Sequence, residues 1–104
     1  GELPRGSEAV PGDAESAARV WIPARNALLL AVAAAHAETL AADCVVAGFN
    51  REEAQTFPDN SAEFLAAATA MLAFGTRNRV TVESPTLEWD KPRIVAEALR
   101  LGFA

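Results

Sequence analysis

The stretch Asp43–Phe49, DCVVAGF, is a short apolar run that closes on Gly48 and Phe49 and gives way at once to polar residues. Its apolar character is continuous rather than alternating, the pattern of a strand buried on both faces in a parallel sheet. Upstream, Ala24 to about Ala42 (ARNALLLAVAAAHAETLAA) is built of strong helix formers, with Pro23 at the first turn, where its missing N–H costs least. The middle of this helix is apolar almost all round and rich in alanine, so it is expected to pack on the sheet with a second neighbour on its other side. Downstream, Asn50–Asn60 is polar, carries Pro58 and reads as a loop. A helix from Ser61 to Gly75 follows, with Asn60 and Glu63 as a start resembling a capping box and Gly75 as the residue just past its end. Val80–Val82 is a second short strand, broken by Pro85 and Thr86. Asp90 then caps a last helix, Pro92–Leu101, with Ile94, Val95, Ala98 and Leu99 on one apolar face and Gly102 as its stop.

Helices alternating with short apolar strands predict an α/β fold: a parallel sheet with covering helices, joined by right-handed crossovers. Two strands make a poor sheet, since sheets usually have about four to six, so further strand partners are expected outside the visible pattern. Residues 1–19 mix Gly, Pro, Ser and acidic residues without a period and read as loop or mobile linker; residues 20–104 read as part of a single domain. The chain opens on Gly1 rather than Met and stops at Ala104, just after Gly102, so a piece of a longer protein is expected.

With 104 residues, 51% hydrophobic and 22% charged, the chain has the composition of a globular domain rather than a disordered one. A net charge of −5 has the wrong sign for a dedicated binder of nucleic acid or of an anionic membrane. The longest apolar stretch, Ala27–Ala35, falls far short of the roughly 18 to 20 residues needed to cross a bilayer, and no signal peptide precedes it. Cys44 is alone, which excludes an internal disulfide and a cysteine-rich zinc site and suits a reducing, cytoplasmic setting.

In open parallel sheets ligands bind beyond the carboxyl ends of the strands, so the segments after Phe49 and Val82 are where chemistry is expected. The first, GFNREEAQTFPDN, places Asn50, Glu52 and Asp59 at a strand terminus, although a solvated surface loop fits the same spacing equally well. Arg25 and Asn26 occupy the first turn of the first helix, where a cation opposes the helix dipole by about 0.3–1 kcal/mol unless an anion sits there. A plain ion pair from Arg25 to Glu52 or Asp59 is the simpler expectation. Lys91, the only lysine, stands at the start of the last helix, beside the same sheet edge. His36 lies among alanines without a second ligand at metal spacing, and Trp21 and Trp89 read as wedges at element ends. There is no GxxxxGK[ST] loop, no GxGxxG after a strand and no nucleophile elbow.

Three longer stretches, WIPARNALLLAVAAAHAE, VVAGFNREEAQTFPDNSAEFL and TRNRVTVESPTLEWDKPRIV, resemble the 7-cyano-7-deazaguanine synthase family of queuosine biosynthesis. The agreement runs from about Ala17 to Gly102, and the order PARN, GFN, FPDN is its specific part. The resemblance implies a Rossmann-like, adenine nucleotide alpha hydrolase-like sheet and an N-type ATP pyrophosphatase. It implies ATP, with Mg²⁺, as the agent that activates 7-carboxy-7-deazaguanine for reaction with ammonia. Carried over residue by residue, the family's P-x-R-N motif falls on Pro23, Arg25 and Asn26, and its strand-end glycine on Gly48. Its aromatic-Pro-Asp motif falls on Phe57, Pro58 and Asp59, and its helix-start lysine on Lys91.

Two features of the family have no counterpart here: the strand and SGGxDS loop that cradle pyrophosphate, and the four cysteines that hold a structural zinc ion. The match is therefore to the middle of a family member, and these 104 residues by themselves are not expected to catalyse the reaction. Two other classes stay open: a non-catalytic module that binds a nucleotide or deazapurine, and a subunit-interface fragment, the reading that a homodimer would favour.

Overall fold

A computed structural model describes residues 19–102. The expected loop or linker over residues 1–19 lies outside the described residues except at Arg19, which is helical together with Val20. In chain order come α1 (Arg25–Thr39), β1 (Cys44–Val46), α2 (Arg51–Thr56), a 3₁₀ turn (Pro58–Asn60), α3 (Ala62–Gly75), β2 (Thr81–Glu83) and α4 (Lys91–Arg100). β1 and β2 pair in parallel, with Cys44 opposite Thr81, Val45 opposite Val82 and Val46 opposite Glu83. This is the expected α/β arrangement, a partial Rossmann-like unit with helices covering a parallel sheet.

The core lies between that sheet and the facing sides of α1 and α3. Leu30, Ala34 and Ala37 of α1 meet Leu65, Ala68 and Leu72 of α3 over Val80 and Val82. The alanines at 34, 37 and 68 let the helix backbones come close to the strands, which is what the alanine-rich sequence predicts. The second neighbour expected for α1 is not among the described residues: Leu28, Leu29 and Val32 are 64%, 58% and 49% exposed. The apolar face expected on α4 is also left open, with Val95 and Leu99 exposed and Ile94 half-buried.

Several boundaries move for identifiable reasons. α1 ends at Thr39 rather than Ala42, because the Ala42 N–H bonds the Ala37 carbonyl (2.8 Å) and the Ala41 N–H that of Glu38 (3.0 Å). This is a Schellman turn with alanine, at φ 58°, where glycine is usual. Asn50–Asn60 is not an irregular loop: Asn50, buried, accepts from the Glu53 N–H (2.9 Å) and caps α2, and Pro58 opens the 3₁₀ turn. α3 is capped by Ser61, whose Oγ accepts from the Phe64 N–H (3.1 Å), and not by Asn60, whose amide donates to Asp59 Oδ1. Gly75 remains helical, and Thr76 ends the helix instead. Its hydroxyl donates to the Leu72 carbonyl (2.6 Å) and accepts the Val80 N–H (2.9 Å), joining the end of α3 to the approach to β2. α4 begins one residue early, at Lys91, with Asp90 Oδ1 accepting from the Arg93 N–H as expected, and it stops at Gly102, φ 89°. Near that end, the Arg100 guanidinium hydrogen-bonds Glu97 and holds its carboxyl below the ordinary value.

The two edges of the sheet differ. Thr81 and Glu83 direct peptide groups at β1, through Thr81 N–H to Asp43 O and Ala47 N–H to Glu83 O, so Val82 between them turns its own outward. There the Thr69 hydroxyl of α3 takes both, accepting from the Val82 N–H (3.0 Å) and donating to its carbonyl (3.4 Å). A side chain thus replaces a strand on that edge. Replacing Thr69 by Val keeps the shape but strands two buried peptide groups, and is expected to lower stability by about 1–3 kcal/mol, with Thr69→Ser close to the parent. Urea titrations of the three proteins check this; equal midpoints for Thr69→Val and the parent overturn it.

Candidate functional site at the carboxyl ends of the strands

Parallel pairing brings the segments after β1 and β2 to the same end of the sheet, and they are stitched together there. The Phe49 N–H donates to Ser84 Oγ (3.0 Å), and Thr86 Oγ1 donates to the Phe49 carbonyl (2.5 Å). Two residues further on, the Arg51 N–H donates to the Trp89 carbonyl (2.9 Å), and the Arg51 guanidinium pairs with Asp90 (3.4 Å). The Lys91 N–H donates to both oxygens of Glu52 (3.2 and 3.1 Å). Arg93 lies over the Trp89 ring, 4.1 Å from its centroid.

A second group of contacts joins the start of α1 to the 3₁₀ turn. Trp21 stacks on Phe57 with ring centroids 6.3 Å apart and planes 8° from parallel, and Asn26 Nδ2 donates to the Asp59 carbonyl (3.0 Å). α2 lies between the two groups in the chain, bound to the start of α4 through Glu52 and continuing into the Phe57 and Asp59 segment.

The expected residues therefore fall into two kinds. Asn50 and Glu52 cap helices, Asn26 and Asp59 bond each other's segment, and Phe57 is stacked. Arg25 and Lys91 are exposed, and among the described residues neither side chain has a hydrogen bond or ion pair. The simple pair expected from Arg25 to Glu52 or Asp59 does not form: the Glu52 carboxylate is held by Lys91 N–H, and Asp59 Oδ1 accepts from Asn60. Gly48 follows β1, with no atom within 4 Å of where a Cβ would stand, so packing among the described residues does not require glycine there.

The two helix N-termini beside these cations also differ. At α4, Asp90 and Glu52 take the N–H groups of Arg93 and Lys91, Ile94 bonds the Asp90 carbonyl, and Pro92 has none to offer. At α1, Ala24 stands in left-handed conformation (φ 60°) without a side-chain cap, and the N–H groups of Asn26 and Ala27 have no partner among the described residues. Donors, positive helix end and a free guanidinium coincide at α1, which fits a phosphate or carboxylate group. Metal ions fit less well: no group of three or more His, Cys, Asp or Glu among the described residues is placed to hold one, for Mg²⁺ or Zn²⁺ alike.

Ser84 and Thr86 are not recognisable from sequence as clamps on Phe49, because their Ser-Pro-Thr context reads as a strand breaker. The spacing of four between Trp89 and Arg93 is the signal that reveals their contact. A cleft of about 240 Å³, lined by Arg51, Gln55, Ser61, Glu63, Leu87 and Glu88 among others, includes none of the expected site residues. It is open and bears both signs of charge, whereas the unpartnered cations lie elsewhere.

Polar segments gathered at one end of a parallel sheet, beside an open helix N-terminus, define a partial Rossmann-like unit. The profile described as "Queuosine biosynthesis protein QueC" matches residues 3–104, and the chain belongs to that family, within the adenine nucleotide alpha hydrolase superfamily. It is 53% identical to the 7-cyano-7-deazaguanine synthase of Desulforudis audaxviator over 86% of this chain and 41% of that protein. It is 56% identical to the synthase of Bdellovibrio bacteriovorus over 85% of this chain and 36% of that protein. For the synthase of Pyrococcus horikoshii the identity is 39%, over 98% of this chain and 44% of that protein. The chain thus spans about two fifths of the length of the curated relatives it matches. No solved structure matches it. No helix among the described residues is long and apolar enough to cross a membrane.

The Asn26 bond gives this site a structural test. Replacing Asn26 by Ala removes the donor to Asp59 and is expected to cost about 0.5–1.5 kcal/mol. Asn26→Asp, which places a carboxylate against that carbonyl, is expected to cost more. Thermal melts rank the three proteins; an unchanged midpoint in both variants excludes Asn26 as the tie between α1 and the 3₁₀ turn.

Proposed function

We propose that this chain is the middle part of a 7-cyano-7-deazaguanine synthase, an ATP-dependent C–N ligase that converts 7-carboxy-7-deazaguanine and ammonia into the nitrile. The observation that carries the reading is identity at half or more of the aligned positions with proteins of that name, over some 85% of the chain. Carboxylic acid, amide and nitrile share one oxidation level, so the conversion needs no redox partner, only two removals of oxygen. ATP supplies each by making oxygen a leaving group: the carboxylate is adenylated with loss of pyrophosphate, and ammonia displaces AMP to give the amide. The amide oxygen is then adenylated in turn and departs with AMP as the C≡N bond forms. A cytoplasmic setting, where ATP and a reduced Cys44 both belong, agrees with this reading.

The residues of this chain contribute electrostatics and position. The open start of α1, with Arg25, binds an anionic group, either a phosphate of the nucleotide or the carboxylate to be activated. Lys91 offers a second, mobile charge from the other side of α2. Asn26 and Asp59, held together, fix the wall between them, and Gly48 leaves room at the end of β1. The pyrophosphate-binding loop and structural zinc that the family resemblance implies belong to segments without counterpart here.

The test uses a full-length family member into which this segment has been exchanged, supplied with ATP, ammonia and 7-carboxy-7-deazaguanine. The exchanged protein is expected to form the nitrile and to release AMP and pyrophosphate. Arg25→Ala is expected to lower kcat/KM by roughly 10²–10³-fold, the scale for removing one donor to a charged transition state. Full turnover by Arg25→Ala removes that residue from the site, and no nitrile from the parent exchange refutes the reading itself.

A further inference from the structure

We propose that Glu52 is a positioning residue, which acts on the reaction through Lys91 and makes no contact with substrate or nucleotide. The proposal rests on the reading above for the role of Lys91, and on geometry for the role of Glu52.

Glu52 lies in the first turn of α2, just after the end of β1, while Lys91 opens α4, eight residues past the end of β2. The sequence separates them by 39 positions, yet the Lys91 N–H points between the two Glu52 oxygens, at 3.2 and 3.1 Å. Such a bond matters at that place because the first N–H groups of a helix have no partner within it. Asp90 takes the one at Arg93 (2.9 Å), Pro92 brings none, and Glu52 takes the one that remains. A carboxylate is also the favoured group at this end of the helix dipole.

The same junction is fixed at two further points, by Arg51 N–H to the Trp89 carbonyl (2.9 Å) and by the exposed Arg51–Asp90 pair (3.4 Å). Together they define the direction in which α4 leaves the sheet, and hence where the Lys91 side chain starts. Lys91 itself is exposed and without a partner among the described residues, so its charge is available while its backbone is held. A carboxylate already holding a helix end is poorly suited to ligate ATP or an anionic substrate, which it repels. The polar segment after β1 thus serves the site by fixing a residue of the segment after β2.

The test is a double-mutant cycle in the exchanged full-length protein, with Glu52→Ala, Glu52→Gln, Lys91→Ala and the double variant Glu52→Ala/Lys91→Ala. Glu52→Ala is expected to lower kcat/KM by roughly ten- to a hundredfold, the effect of misplacing a group by about an ångström. Glu52→Gln, which keeps an acceptor for the Lys91 N–H, is expected to restore turnover to within about threefold of the parent. In the Lys91→Ala background the Glu52→Ala change should have almost no further effect, because its target is gone. Additive losses overturn the proposal, since they assign Glu52 a role of its own, in folding or in direct contact. A Glu52→Gln variant as damaged as Glu52→Ala also overturns it, by showing that the charge is what is needed. If Lys91→Ala turns over normally, the place given to Lys91 fails and this inference with it. The Arg25→Ala result then decides separately whether the reading of the whole site survives. Thermal melts of each variant separate lost folding from lost turnover.

Discussion

The parallel pairing of β1 with β2 is the constraint on which everything else depends. Parallel strands must be joined by a crossover, and here α2, the 3₁₀ turn and α3 supply it, with α3 lying on the sheet it crosses. The same pairing sends both strands out at one end, so that a segment rich in charged groups leaves beside a segment containing Ser, Thr and Trp. Had the strands been antiparallel, Phe49 and Ser84 would lie at opposite ends, and neither the stitching nor the pinning of α4 by Glu52 would form. The strands are three residues each, so the pairing does not stand by its own hydrogen bonds. It stands by the burial of Val80 and Val82 under α1 and α3, and by Thr69 and Thr76, whose hydroxyls replace missing backbone partners.

Against that small core, much apolar surface is left uncovered by the described residues. Leu28, Leu29 and Val32 on α1, Met71 and Phe74 on α3, Val95 and Leu99 on α4, and Val46 on β1 are all at least about half exposed. Single exposed leucines need no explanation, but three helices each presenting several such side chains carry more apolar area than an isolated domain usually leaves in water. The two sheet edges are unequal in the same sense. The β2 edge is closed at Val82 by Thr69, whereas the peptide groups of Cys44 and Val46 on the outer side of β1 have no partner among the described residues. The surface most in need of a neighbour therefore lies along β1 and the outer side of α1.

How much of this was legible in the sequence depended on how local the deciding interaction is. The strands, the three long helices and the Asp90 cap follow from composition and from caps acting over three or four residues, so they were readable. The ends of α1 and α3 depart from the sequence expectation, because glycine is the ordinary stop and here Ala41 and Thr76 do its work, one at a cost in backbone strain and the other through a hydroxyl. α2 reads as loop because its six residues hold too little pattern to register, and its stability comes from Asn50 and from contacts with Trp89 and Lys91 some 39 positions away. The candidate residues were found where resemblance and strand-end logic agreed, but neither source distinguished those that bind internally from those left free. That distinction lies in long-range hydrogen bonds, which one sequence does not display.

The distinction also decides what the site offers. Of the polar residues singled out at this end of the sheet, Asn26, Asn50, Glu52 and Asp59 have groups engaged within the protein, and the two whose side chains are wholly uncommitted are both cations. The chain as a whole carries −5, so the two uncommitted cations at this edge are a feature of local arrangement rather than of composition. They stay uncommitted because three neighbouring carboxylates are bound elsewhere: Glu52 at the start of α4, Asp90 by Arg51 and the Arg93 N–H, and Asp59 by Asn60. Arg77 and Arg79 lie before β2, at the opposite end of the strands, and add nothing here. A helix start left uncapped beside an unpaired arginine offers an anion local donors that the net charge of the chain does not.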